Sequence, residues 1–159
     1  MKIYTIGKIF VILLIPLILL NTNTFADENT IEELHKESAV FVSQSQFNEA
    51  IGVFDQILEI DPNNVKALIN RSAVLIEIGQ NEKALYDTNR ILTIDPNNVK
   101  ALSNKGIALA NIGYSYDAIT TFEKAIELDP TNQKLINARN FIFSFIDLSV
   151  LSEEDERIY

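Results

Sequence analysis

Residues 57–70 read ILEIDPNNVKALIN and residues 91–104 read ILTIDPNNVKALSN, agreeing at 12 of 14 positions. The Asp-Pro at their centre stands at 61–62 and 95–96 and returns at 129–130, a strict spacing of 34 residues. A fixed period of this length marks stacked supersecondary units, none of which buries its apolar face alone. Within each unit the apolar spacing is helical. Phe47, Ala50, Ile51, Phe54, Ile57 and Leu58 recur at three- and four-residue steps, and Ala118, Ile119, Phe122, Ala125 and Ile126 repeat that register. The preceding helices carry Leu68, Ser72 and Leu75, then Leu102, Gly106 and Leu109. Gly79 and Gly113 break the chain inside their units. Pro62, Pro96 and Pro130 close each second helix, since proline bars helix continuation and restricts the residue before it. The asparagine pairs that follow suit a turn and then a helix cap.

Counted from Ile31, Val65 and Val99, the fourth residues are Leu34, Leu68 and Leu102, and the small eighth residues are Ser38, Ser72 and Gly106. The twentieth are Ala50, Ala84 and Ala118, where close helix approach leaves no room for a larger side chain. With a proline at the thirty-second place each time, this pattern resembles the tetratricopeptide repeat (TPR) over residues 31–132. The resemblance implies an all-α, right-handed solenoid of three helix-turn-helix repeats, at 31–64, 65–98 and 99–132, with a capping helix at 133–148. Two positions depart from it. Ser45 replaces the turn glycine of the first repeat, and Thr88 stands where Phe54 and Phe122 fill the equivalent core slot, which predicts looser packing in the second repeat. In the closing helix Phe141, Phe143, Phe145 and Ile146 do not all fit one buried face. Either Val150 and Leu151 fold back over them, or they form an apolar strip for a partner or a second copy. Residues 149–159 read as an acidic tail.

The start of the chain has the three parts of an export signal. Lys2 and Lys8 precede an apolar run from Ile9 to Leu20, and Thr24-Phe25-Ala26 offers a cleavage site before a short linker at 27–30. Twelve helical residues rise about 18 Å against a hydrocarbon core of about 30 Å, which favours cleavage after Ala26 over an uncleaved membrane anchor. Cleavage places the chain outside the cytoplasm, in a periplasm or cell envelope or secreted. No cysteine follows the run, so it is not a lipoprotein signal.

Composition excludes several function classes. With no cysteine and one histidine, thiolate metal sites, cysteine nucleophiles and most imidazole chemistry fall away. No glycine-rich phosphate loop or nucleophile elbow is present, so no enzyme activity, cofactor or metal is expected. The net charge is −9, and losing Lys2 and Lys8 takes 13 basic residues to 11 against 22 acidic, a net −11. Such a field repels nucleic acid and anionic lipid.

The resemblance also implies a working surface. In this family the second and sixth residues of a repeat line a concave groove that takes extended peptides or helices. Here those places hold Lys66 and Asn70, Lys100 and Asn104, then Lys134 and Ala138 on the closing helix. Lys66, Asn70, Lys100, Asn104 and Lys134 are therefore the candidate partner-binding residues. An asparagine amide can donate to and accept from a peptide backbone. In-phase lysines favour an acidic segment or a C-terminal carboxylate. The first repeat offers Glu32, His35 and Lys36, with no asparagine four residues beyond His35, a departure from the family's carboxylate-clamp members. His35 is read as an exposed groove residue rather than a metal ligand. The function implied is a protein-interaction module serving as adaptor, scaffold or assembly factor. The alternatives are a homodimer built on the aromatic closing helix and a membrane-anchored module.

Overall fold

The computed structural model describes residues 28–146, all of them in helices or in the turns between. The export segment, the cleavage site and the acidic tail lie outside the described residues. Helix α1 covers 28–43, followed by α2 (Phe47–Ile60), α3 (Val65–Glu77), α4 (Asn81–Ile94), α5 (Val99–Asn111), α6 (Ser115–Leu128) and α7 (Gln133–Phe143). From α2 onward the helix boundaries keep the 34-residue step: second helices start at Phe47, Asn81 and Ser115, and α3, α5 and α7 start at Val65, Val99 and Gln133.

Local chemistry sets these boundaries. The Asp61, Asp95 and Asp129 C-caps each donate their backbone N–H back into the last turn, and the proline after each prevents further winding. The second asparagine of each pair then opens the next helix. Asn64 Oδ1 accepts from Ala67 N at 3.0 Å and Asn98 Oδ1 from Ala101 N at 3.1 Å, the expected N-cap bonds. Asn132 makes no such cap; its Nδ2 donates to Asp129 Oδ2 at 2.9 Å.

The chain divides after Pro62 into two compact units. The first holds α1 and α2. Their turn has Ser45 at φ +58°, the left-handed conformation that Gly79 (+76°) and Gly113 (+91°) adopt in the other two turns. Serine thus fills a glycine's role at a steric cost of about 1 kcal/mol. Ala50, Val53, Phe54 and Ile57 form the buried stripe of α2. His35 is not exposed as expected: it is 9% exposed. It lies three residues before the buried Ser38, so the two share one helix face.

The second unit holds α3 to α7. In it α5 lies against α3, α4, α6 and α7. Ala84, Ala118 and Ala125 are fully buried, and a core cluster of Leu102, Phe122, Ala125 and Leu135 joins α5, α6 and α7. The approach there is tight. A Cβ added to Gly106 would sit 2.8 Å from the Phe122 ring, closer than real carbon contacts allow, so a side chain there would have to displace the ring. Thr88 is fully buried as well, with Oγ1 donating to the Leu85 carbonyl oxygen at 3.1 Å. The second repeat adds an ion pair instead of a ring. Arg71 Nε donates to Asp87 Oδ2 at 2.8 Å and Nη2 to Asp87 Oδ1 at 2.6 Å, clamping α3 to α4.

The closing helix winds for less than the expected span. It ends at Phe143, where Ser144 Oγ donates to the Phe141 carbonyl oxygen and the N–H groups of Phe145 and Ile146 bond three residues back. Such bonds tighten and stop a last turn.

Candidate interaction surface

Lys66, Lys100 and Lys134 are each the second residue of their helix, and all three are exposed. Helix α5 touches both α3 and α7, and the three lysines occupy the same register position on these neighbouring helices, a row in the repeat's register. Packed helices stand about 8–10 Å apart, near the screening length of about 8 Å in physiological salt. Neighbouring ammonium groups therefore repel weakly, and an anionic chain laid across them relieves that repulsion.

The row belongs to a wider segregation of charge. Helices α3, α5 and α7 carry six basic residues (Lys66, Arg71, Lys100, Lys105, Lys134, Arg139) and one acidic residue, Glu77. Their partners α4 and α6 carry Glu82, Asp87, Asp117, Glu123 and Glu127 against Lys83, Arg90 and Lys124. In a chain of net charge −9, the first helices of this unit are positive. The basic residues at 71, 105 and 139 share a second in-phase position, which inspection of the second and sixth places alone passes over.

The asparagines have a different standing. Asn70 is half-buried on α3. Asn104 Nδ2 donates to the Ile69 carbonyl oxygen at 3.2 Å and to Ser72 Oγ at 2.9 Å, and Ser72 Oγ donates to the same carbonyl at 2.8 Å. The amide donors of Asn104 thus fasten α5 to α3, leaving Oδ1 as the atom that can accept from a bound backbone. A second fastener joins the end of α5 to the start of α4, where Asn111 Nδ2 donates to Asn81 Oδ1 at 3.0 Å. Among the described residues, no group of three His, Asp or Glu side chains is placed to hold a metal ion, and no helix is long and apolar enough to cross a membrane.

The tetratricopeptide repeat family is matched over residues 41–105 and again over 99–132, and the chain belongs to that family. No curated protein matches it. Among solved structures, the first TPR of Spaghetti (RPAP3) bound to the HSP90 peptide SRMEEVD superposes with a TM-score of 0.70 at 22% identity, covering 73% of this chain and 92% of that one. The Sgt2 TPR domain from Aspergillus fumigatus gives 0.70 at 26% identity, over 75% of this chain and 80% of that one. MamA from Desulfovibrio magneticus RS-1 gives 0.67 at 26%, over 70% of this chain and 63% of its own. The fold is thus the all-α TPR fold.

Proposed function

We propose that this chain is a non-catalytic protein-interaction module that takes a peptide or helix bearing an acidic segment across the first helices of its second unit. It acts outside the cytoplasm once residues 1–26 are removed. The observation that carries this reading is the segregation of charge: with Arg71 held by Asp87, five basic residues and one acidic remain on α3, α5 and α7, in a chain of net −9. The acidic peptide held by the RPAP3 repeat is a precedent for the chemistry on a shared fold. Lys66, Lys100 and Lys134 supply point charges, and Asn70 and the Asn104 Oδ1 supply backbone contacts.

The test should leave Asn104 alone, because removing it would disturb the α3–α5 junction as well as any ligand contact. Changing Lys66, Lys100 and Lys134 together to alanine touches only exposed side chains. Exposed ion pairs contribute about 0.2–1 kcal/mol each, so losing three weakens binding on the order of tenfold. With a fluorescein-labelled peptide of alternating glutamate and alanine, anisotropy titration should show that loss at an unchanged melting temperature. The wild-type affinity should fall as salt is raised, and a lysine-for-glutamate peptide should not bind. Equal affinity of the triple variant and the wild type contradicts the assignment. The export part is read separately, by mass spectrometry of the mature amino terminus in the native cell. Asp27 as the first residue agrees with it, and Met1 retained in envelope fractions refutes it.

A further inference from the structure

Helix α5 is tied to its neighbours by two polar fasteners, Asn104 to Ser72 of α3 and Asn111 to Asn81 of α4. One repeat later, where α7 meets α5 and α6, the equivalent positions hold Ala138 with Gly106 of α5 and Phe145 with Ser115 of α6. Neither pair can form the bond. Phe145, moreover, stands beyond the end of α7, whereas Asn111 is the last residue of α5. A pocket of about 370 Å³ opens there, walled by Ile107 and Ala110 of α5, by Phe141 and Ile142 of α7, and by Phe145, with Ser115 at its edge. Phe141 is 67% exposed and Phe145 74%, their rings edge-to-face at 4.9 Å.

We propose that this pocket is the docking site for residues 148–151 of the same chain, with Val150 and Leu151 as its apolar filling. Three observations favour this occupant. The chain leaves the pocket's own wall at Phe145, so Val150 follows five residues later. Five residues reach up to about 17 Å, ample to turn back across a cavity of this size. The chemistry also selects the segment. Leu148, Val150 and Leu151 are apolar, and the next run, Glu153-Glu154-Asp155-Glu156, cannot be desolvated in an apolar pocket. Tethering then decides between this segment and the same segment of a second copy. A short flexible link gives an effective concentration on the order of millimolar, about a thousandfold above that of a second copy at micromolar concentration. The proposal is independent of the lysine row.

The absence of cysteine allows a clean test in the full chain. Two double variants, Ala110→Cys with Val150→Cys and Ile107→Cys with Leu151→Cys, are oxidised at micromolar concentration after circular dichroism has shown wild-type helicity. A disulfide requires Cα atoms within about 7 Å. The expected result is an intrachain bond in at least one pair, with a yield independent of protein concentration, and none in the control pair Ala110→Cys with Ile158→Cys. A bond between two chains in either pair assigns the pocket to a second copy and overturns the proposal. So does the absence of any bond in both pairs.

Discussion

Replacing Asp87 by alanine is expected to lower the unfolding free energy by about 3–5 kcal/mol, a large share of the roughly 5–15 kcal/mol that holds an ordinary domain together. Asp87 is 1% exposed in α4 and meets Arg71, 17% exposed, through two parallel hydrogen bonds. The cost arises because the guanidinium remains where it is, in a place with little water, after its carboxylate has gone. An intact buried pair adds little over a well-packed apolar pair of the same volume. The double variant Arg71→Met with Asp87→Leu should therefore recover most of the loss. Urea unfolding at an unchanged m-value reads both effects as shifts in midpoint. A loss below about 1 kcal/mol for Asp87→Ala would mean that water reaches the guanidinium freely.

Phe122→Ala should cost a similar amount, about 3–5 kcal/mol, by a different route. Phe122 is buried among Leu102, Ala125 and Leu135, and its ring lies against the backbone at Gly106. Truncation leaves a cavity beside a residue with no side chain to fill it, so the site relaxes little and the cost falls high in that range. The equivalent Thr88→Ala change removes one methyl and one hydroxyl bonded to its own helix, and should cost about 1–2 kcal/mol. Because this cluster carries Leu135, Phe122→Ala should also speed amide exchange along α7 more than along α3. Equal losses for the two variants would show that the α5–α6–α7 core is not where the second unit draws its stability.

The contrast between these residues shows what the repeat makes legible. Asp-Pro-Asn-Asn signals are local: proline stops one helix and asparagine caps the next within a few residues. Hence the boundaries at Ile60, Val65, Ile94, Val99 and Leu128 follow from the sequence. The tightly packed Ala50, Ala84 and Ala118 follow from the period, because every repeat solves that close approach in the same way, and the eighth position is legible as small, serine twice and glycine once. Periodicity is blind to what belongs to one junction only. Arg71 and Asp87 become Lys105 and Thr121 one repeat later, and Asn111 and Asn81 become Phe145 and Ser115. No comparison between repeats predicts such pairs, whose members lie 16 and 30 residues apart. Asn104 is legible as a groove position, but its partners Ile69 and Ser72, on the neighbouring first helix, are not. His35 differs for a related reason: its repeat position points to the groove, while in the structure it shares a buried helix face with Ser38.

The central claim is that the basic face of α3, α5 and α7 is where a partner binds. Amide and lysine side-chain NMR spectra, recorded while the glutamate–alanine peptide is titrated in, test it most directly. The account predicts progressive shifts at and around Lys66, Lys100 and Lys134, largest on α5 and abolished at high salt. Shifts centred on α4 and α6, or a spectrum that does not change at saturating peptide, would contradict it.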